Sequence, residues 1–197
     1  MPARPLGGSL VRASTITIVL AAVVGVRWAV TVRAVADGLV VGAVFGTLLV
    51  AAAAAAGWRP LARVRPLPVG QFVAGLAAGL VLVGISLVTR WPGPWVAFDP
   101  AGSFAPWAAV TVLVAVGEEA ILRGALFAAV EDCGGVVLAL LVTSAAFALL
   151  HVPLYGWHVV PLDLGVGLFL GGLRILTGGV AAPATAHAVA DLATWWM

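Results

Sequence analysis

Residues 38–57 read GLVVGAVFGTLLVAAAAAAG, twenty residues without one charged side chain. An α-helix rises about 1.5 Å per residue, so a helix of this length spans about 30 Å, the thickness of the hydrocarbon core of a bilayer. A second run of this kind covers 69–88, where one glutamine and one serine are the strongly polar residues. Both stretches predict membrane-spanning segments.

The composition of the whole chain agrees with a membrane protein. Of the 197 residues, 63% are hydrophobic and 9% are charged, and the mean hydropathy is +1.16. A soluble domain carries about 25% charged residues, so this chain lacks the polar side chains to cover a water-soluble surface. A net charge of +2 does not indicate a nucleic-acid-binding surface, and a single cysteine cannot form a disulfide framework.

The apolar runs favour helices, because the strands of a membrane β-barrel alternate apolar and polar residues. We predict an all-α, polytopic membrane helix bundle that forms one integral membrane domain over residues 1–197. It is expected to be a multi-pass protein of the cell (plasma) membrane. The predicted spans are about seven in number: 14–32, 36–58, 69–90, 105–130, 134–152, 162–177 and 180–196.

Two further signals concern the N-terminal part. Ala34-Val35-Ala36 is a candidate signal-peptide cleavage site, and cleavage there would leave six spans. The arginines at 59, 63 and 65 predict that the loop after the second span is cytoplasmic.

Ionisable residues inside the predicted spans are the strongest indication of function. A charged group at the centre of a bilayer costs roughly 2.5–3.5 kcal/mol on insertion scales, so such a residue is by default a functional candidate. Four predicted spans carry these residues: Arg27 in the first, Glu118, Glu119 and Arg123 in the fourth, His151 at the end of the fifth, and His187 and Asp191 in the seventh.

The spacing of these charged residues along each helix predicts which of them share a face. Glu119 and Arg123 are four residues apart and can form an ion pair on one helix face, with either a structural or a catalytic role. Glu118 is turned by about 100° from Glu119 and has no cation at helical spacing, which leaves it free for chemistry. His187 and Asp191 are also four residues apart, a spacing that suits two metal ligands or a histidine oriented by a carboxylate.

Three strings in these helices, taken in order, resemble the CAAX protease and bacteriocin-processing family of intramembrane endopeptidases. The pattern of that family is Glu-Glu-x-x-x-Arg, Phe-x-x-x-His and His-x-x-x-Asn, each in a separate membrane helix. The corresponding strings here are Glu118-Glu119…Arg123, Phe147…His151 and His187…Asp191. The resemblance covers about residues 104–197, where we expect the catalytic helices.

The resemblance implies a CAAX-type peptide hydrolase that acts on a peptide or protein substrate at the lipid bilayer, with no nucleic-acid partner. Its implied catalytic residues are Glu118, Glu119, Arg123, His151, His187 and Asp191. In this scheme Glu118 activates water, and His151 and His187 complete the site. Two versions stay open: a metal-free glutamate mechanism, and a divalent metal such as zinc held by Glu118, His151 and His187.

Asp191 departs from the family pattern, which has asparagine at this position. An amide can donate a hydrogen bond to an oxyanion and an ionised carboxylate cannot, so Asp191 must be protonated, bind a metal or orient His187.

Two other functions of the protein remain open. One is a non-catalytic immunity or partner-binding membrane protein, which the costly buried charges argue against. The other is an ion-coupled transporter, which would be expected to show an internal repeat that the sequence lacks.

Overall fold

The computed structural model describes residues 6–33, 37–58, 68–89 and 103–197. The described residues contain helices and no strands, which confirms the predicted all-α fold class. The helices are α1 (Leu6–Val32), α2 (Gly38–Ala55), α3 (Pro68–Thr89), α4 (Phe104–Glu119), α5 (Phe127–Tyr155), α6 (Val160–Thr177) and α7 (Ala181–Ala193). A π-helical segment, Ala120–Leu126, joins α4 to α5. The candidate cleavage site at 34–36 and the arginines at 59, 63 and 65 lie outside the described residues.

Five stretches of the described chain are long and apolar enough to cross a membrane: Gly7–Val32, Gly38–Ala55, Val69–Val88, Phe104–Tyr155 and Trp157–Thr177. The protein is therefore an integral, multi-pass membrane protein. The seventh predicted segment, 180–196, is shorter than expected. Its helix α7 has 13 residues, and a helix of that length spans about 20 Å and does not cross the hydrocarbon core.

The long stretch Phe104–Tyr155 is a helical hairpin. Gly134 and Gly135 have non-helical dihedral angles, and Gly135 has a φ of 80°, which glycine adopts without steric cost. On either side of this break, Cζ of Arg123 lies 4.6 Å from the ring centroid of Phe147. In one continuous helix, residues 24 positions apart would be separated by about 36 Å. The chain therefore reverses at the glycine pair, in agreement with separate fourth and fifth predicted spans.

The core of the bundle surrounds the π-helical segment, all seven residues of which are buried. Apolar side chains of three helices pack in the same cluster, among them Leu20 of α1, Leu49 of α2 and Phe147 of α5. A π-helical turn interrupts the regular α-helical ladder and is frequent at functional sites. The first string of the sequence pattern, Glu-Glu-x-x-x-Arg, therefore lies in the buried core of the described bundle.

Glycines allow the helices that carry the motifs to pack closely. A Cβ atom added to Gly117 of α4 would lie 2.9 Å from the carbonyl oxygen of Gly46 in α2. A Cβ atom added to Gly79 of α3 would lie 2.9 Å from the carbonyl oxygen of Ala186 in α7. Small residues are what allow membrane helices to approach to this distance. The close packing holds α4 and α7, and with them Glu118 and His187, inside the bundle.

Candidate active site

Glu118 and Glu119 are the last two residues of α4, and both are buried. Their carboxylates face different neighbours, as their helical positions predict. Glu119 contacts Arg123 and His187, whereas Glu118 faces the two histidines and Arg27. The two adjacent acids therefore have different cationic partners, Arg123 for Glu119 and Arg27 for Glu118, and share His187.

One oxygen of Glu119 joins Arg123 to His187. Arg123 Nη1 donates a hydrogen bond of 2.8 Å to Glu119 Oε1, which confirms the predicted ion pair. The same oxygen lies 3.1 Å from Nδ1 of His187. An ionised carboxylate only accepts hydrogen bonds, so we assign the ring proton of His187 to Nδ1. Its other nitrogen, Nε2, is then left for the neighbouring cavity.

Arg123 is fully enclosed and ties several helices together. Besides its bond to Glu119, it donates from Nη2 to the carbonyl oxygen of Gly167 in α6 over 3.1 Å. Its guanidinium also stacks on the ring of Phe147 in α5, an attractive cation–π contact. Its exposed fraction is 0%, so this arginine supports the arrangement of the helices and does not face the cavity.

The carboxylate of Glu118 faces the rings of two histidines, His151 and His187. Its Oε2 is 3.9 Å from Nε2 of His187 and 4.0 Å from Nε2 of His151. These distances are too long for direct hydrogen bonds and suit a water molecule that bridges the groups. The three side chains come from α4, α5 and α7, the three helices that carry the sequence motifs.

The same three side chains are the predicted ligands of a divalent metal. Zinc binds histidine nitrogen and carboxylate oxygen at about 2.0–2.2 Å, so two ligands in a tetrahedral site lie about 3.3 Å apart. The separations from Glu118 Oε2 to the two ring nitrogens are wider. Among the described residues, no three His, Cys, Asp or Glu side chains are arranged to hold a metal ion. The placed side chains do not fit zinc, and the metal site stays a prediction.

Asp191 contacts His187. Its Oδ2 lies 3.4 Å from Nε2 of His187, the nitrogen that also faces Glu118. With the ring proton on Nδ1, this nitrogen carries no hydrogen, so Asp191 forms a hydrogen bond to it only when protonated. Of the three roles open to Asp191, this contact favours the orientation of His187.

Arg27 joins the site from α1. Its Nη1 lies 4.0 Å from Glu118 Oε1, and its guanidinium lies over the ring of Phe45, 4.3 Å from the centroid. The sequence marks Arg27 as a charge inside a span. Its partner is on another helix, however, so no spacing rule assigns it a role.

Asp163 was not recognised from the sequence. Its Oδ2 lies 3.3 Å from Nδ1 of His151, and the carbonyl oxygen of Phe147 lies 3.1 Å from the same nitrogen. Asp163 is in the first turn of α6, where an acid is normally explained by the helix dipole. The signal that could have identified it is its position in an otherwise apolar segment.

These groups border a cavity of about 610 Å³, a volume typical of ligand sites. The ionisable residues of the polar wall are Glu118, His151, His187, Asp163, Asp191 and Arg27, and the hydroxyl groups of Ser86, Thr111, Tyr155 and Thr194 also line the cavity. The remaining wall is largely apolar and includes Leu82, Ile85, Trp107, Val114, Leu162 and Val166. Neither Glu119 nor Arg123 is part of this lining. The site is thus a polar wall within an apolar chamber of a membrane bundle.

Comparison with known families agrees with this arrangement. Residues 100–193 match a family model described as "Type II CAAX prenyl endopeptidase Rce1-like". The match confirms the resemblance seen in the three motifs and covers α4 to α7. No curated protein and no solved structure matches the chain. The match to this family model supports a membrane protease with a peptide substrate at the bilayer.

Proposed function

We propose that this Rce1-like protein is an intramembrane endopeptidase in which Glu118 is the general base. The observation that supports the proposal is the convergence of three groups on one cavity: the carboxylate of Glu118 and the Nε2 atoms of His151 and His187. The three groups come from separate helices, so their meeting is a property of the whole bundle. The apolar chamber around them suits a peptide that enters from a membrane.

The proposed reaction begins with a water molecule bound near Glu118 Oε2. Glu118 takes a proton from this water as the water oxygen attacks the carbonyl carbon of the scissile peptide bond. The π electrons of the carbonyl move to its oxygen, which becomes a tetrahedral oxyanion. Collapse of this intermediate restores the carbonyl and breaks the C–N bond, and Glu118 returns its proton to the leaving nitrogen. The products are a carboxylic acid and an amine, and Glu118 is again a carboxylate.

The two histidines position the attacking water. Nδ1 of His187 faces Glu119 Oε1, and Nδ1 of His151 faces the carbonyl oxygen of Phe147 and the carboxylate of Asp163. Each ring is therefore fixed at Nδ1 and directs Nε2 to the cavity. One hydrogen of the attacking water points to Glu118, so the other is accepted by the lone pair of one Nε2 at a time.

The test is Glu118→Gln, which keeps the size of the side chain and removes the base. The purified protein is assayed in lipid nanodiscs against a library of membrane peptides, prenylated and unprenylated. We expect a folded protein whose kcat falls by about 10²–10⁴-fold. The matched control is Glu131→Gln, since Glu131 is an exposed acid outside the cavity and should tolerate the change.

Two results decide between the mechanisms. Full activity of Glu118→Gln would end the proposal. Metal content is measured on the same samples, with His151→Ala and His187→Ala alongside. One bound metal per active wild-type protein, lost together with activity in both histidine variants, would favour the metal-dependent version over the glutamate mechanism.

A further inference from the structure

We infer that Arg27 stabilises the oxyanion of the proposed reaction, as a catalytic residue contributed by α1, outside the matched residues 100–193. The inference rests on the proposed function and deepens it. It follows from the position of Arg27 beside Glu118 and from the lining of the cavity, in which Arg27 is the one arginine or lysine among the described residues.

Arg27 is held at the cavity by two contacts. It lies in the membrane-spanning stretch Gly7–Val32 and is 8% exposed, in an environment where an unpaired cation is costly. Nη1 lies 4.0 Å from Glu118 Oε1, and the guanidinium stacks on the buried ring of Phe45. The charge is thereby balanced, and the flat face of the guanidinium is fixed against α2.

The N–H groups of Arg27 remain available to a substrate. At 4.0 Å, Arg27 Nη1 and Glu118 Oε1 form an ion pair but are too far apart for a hydrogen bond. Within the described part of the chain, the guanidinium donates no hydrogen bond, although it has five N–H donors and lines the cavity. Arg123 differs, because its Nη1 and Nη2 already donate to Glu119 and Gly167 and it does not line the cavity.

The neutral histidine rings do not donate towards the cavity. Nδ1 of each ring faces hydrogen-bond acceptors, so in the neutral rings the proton is on Nδ1 and Nε2 is bare towards the cavity. Asp191 faces the bare Nε2 of His187 and donates no hydrogen bond when ionised. With neutral rings and an ionised Asp191, a tetrahedral oxyanion would therefore meet acceptors on this side.

The two oxygens of Glu118 separate these functions in space. Oε2 faces the two Nε2 atoms, which hold the water, and Oε1 faces Arg27. A carbonyl carbon attacked by that water lies next to Glu118, and its oxygen can turn towards Arg27. An arginine side chain is long enough to close to the 2.7–3.1 Å that an oxyanion contact requires. Among the described residues that line the cavity, Arg27 is the one arginine or lysine.

The experiment compares Arg27→Gln with Arg12→Gln, assayed on the peptide that the wild type cleaves fastest. Arg12 is on the same helix, donates to the carbonyl oxygen of Ala56 over 2.9 Å and does not line the cavity. Removal of an oxyanion donor lowers kcat by about 10²–10³-fold, so we expect a drop of that size in Arg27→Gln with KM nearly unchanged. Arg12→Gln should keep the wild-type kcat.

If Arg27→Gln fails to fold, Arg27→Lys is tested in its place. This variant keeps a cation beside Glu118 and should lower kcat by about 10-fold, because an ammonium lacks the planar fork of donors.

A second arm separates a catalytic role from a structural one. Asp191→Asn restores an amide donor to the cavity, so the double variant Arg27→Gln/Asp191→Asn should recover about 10-fold in kcat over Arg27→Gln alone. A structural loss at α1 would not be repaired by a change in α7. If the wild type cleaves peptides while Arg27→Gln, or a folded Arg27→Lys in its place, keeps its kcat, this inference is overturned and the proposed function stands. A wild type that cleaves no peptide of the library overturns both.

Discussion

At the scale of single residues, the site depends on carboxylates that each serve two neighbours. Glu119 Oε1 contacts Arg123 and His187, and the two oxygens of Glu118 face Arg27 on one side and two histidines on the other. The contact between Glu119 and Arg123 follows from a spacing of four residues and was predictable. The contacts of Glu118 with Arg27 and of His151 with Asp163 join different helices, so no local pattern reports them.

Arg123 provides a test of how the buried charges support the fold. Arg123→Met keeps most of the side-chain length but leaves Glu119 with a buried charge and no cation. Loss of one partner of a buried pair destabilises a protein by about 3–5 kcal/mol, so we expect a fall of that order in the free energy of unfolding. The measurement is reversible unfolding in mixed micelles. The double variant Arg123→Met/Glu119→Gln should be more stable than Arg123→Met, because no charge is left behind. A single variant as stable as the wild type would contradict this account.

Asp163 provides a test of how His151 is oriented. Asp163→Asn removes the charge 3.3 Å from Nδ1 of His151 and can place an amide donor against this nitrogen. In metal sites, mutation of the group that orients a ligating histidine lowers metal affinity or activity by about 10–100-fold. We expect a decrease in kcat of that order for Asp163→Asn, with unchanged stability. Asp132→Asn is the control, because Asp132 is an exposed acid on the helical hairpin that carries His151. Wild-type kcat in Asp163→Asn would show that His151 needs no orienting carboxylate.

At the scale of elements, the apolar runs predicted the helices well and their local geometry poorly. Hydropathy fixes where a chain can cross a bilayer, so the runs at 38–57 and 69–88 became α2 and α3. The π-helical segment Ala120–Leu126 has no signature of this kind, because its residues are apolar on every side but Arg123. The short α7 was predicted too long, since the tryptophans after it extend the apolar run without extending the helix.

The chain reverses within α5 at Gly134 and Gly135, and this reversal depends on the backbone conformation of Gly135. Gly135 has φ 80° and ψ 178°, a region that is essentially restricted to glycine. We expect Gly135→Ala to lower the free energy of unfolding by about 1–3 kcal/mol through backbone strain. Thermal unfolding in detergent measures the effect, with Gly25→Ala as the control because open space surrounds Gly25. Equal unfolding temperatures for Gly135→Ala and the wild type would mean that the turn relaxes without cost.

At the scale of the whole molecule, the cavity is built from more of the chain than the family match covers. Residues 100–193 contain the three motifs, yet the cavity also takes Arg27 from α1 and apolar wall residues such as Leu82 and Ile85 from α3. The sequence predicted the catalytic helices within 104–197, and in the first three spans it marked Arg27 alone as a charge inside a span. An apolar wall has no motif, so its contribution becomes visible only when the helices are packed.

The packing of α3 on α7 is the part of this wider arrangement that can be tested without touching a polar residue. A side chain at Gly79 would meet Val189 and the carbonyl oxygen of Ala186, the neighbour of His187 in the sequence. We expect Gly79→Leu to push α7 away from α3 and to move His187 relative to Glu118. A misplacement of about 1 Å can cost about 100-fold in rate, and kcat should fall by that order while α-helix content stays the same. Gly84→Leu is the matched control on the same helix, because nothing lies within 4 Å of a Cβ at Gly84. The comparison is made by kcat on the peptide cleaved fastest and by circular dichroism. Equal activity of the two variants would show that the position of His187 does not depend on α3, and that α4 to α7 arrange the site by themselves.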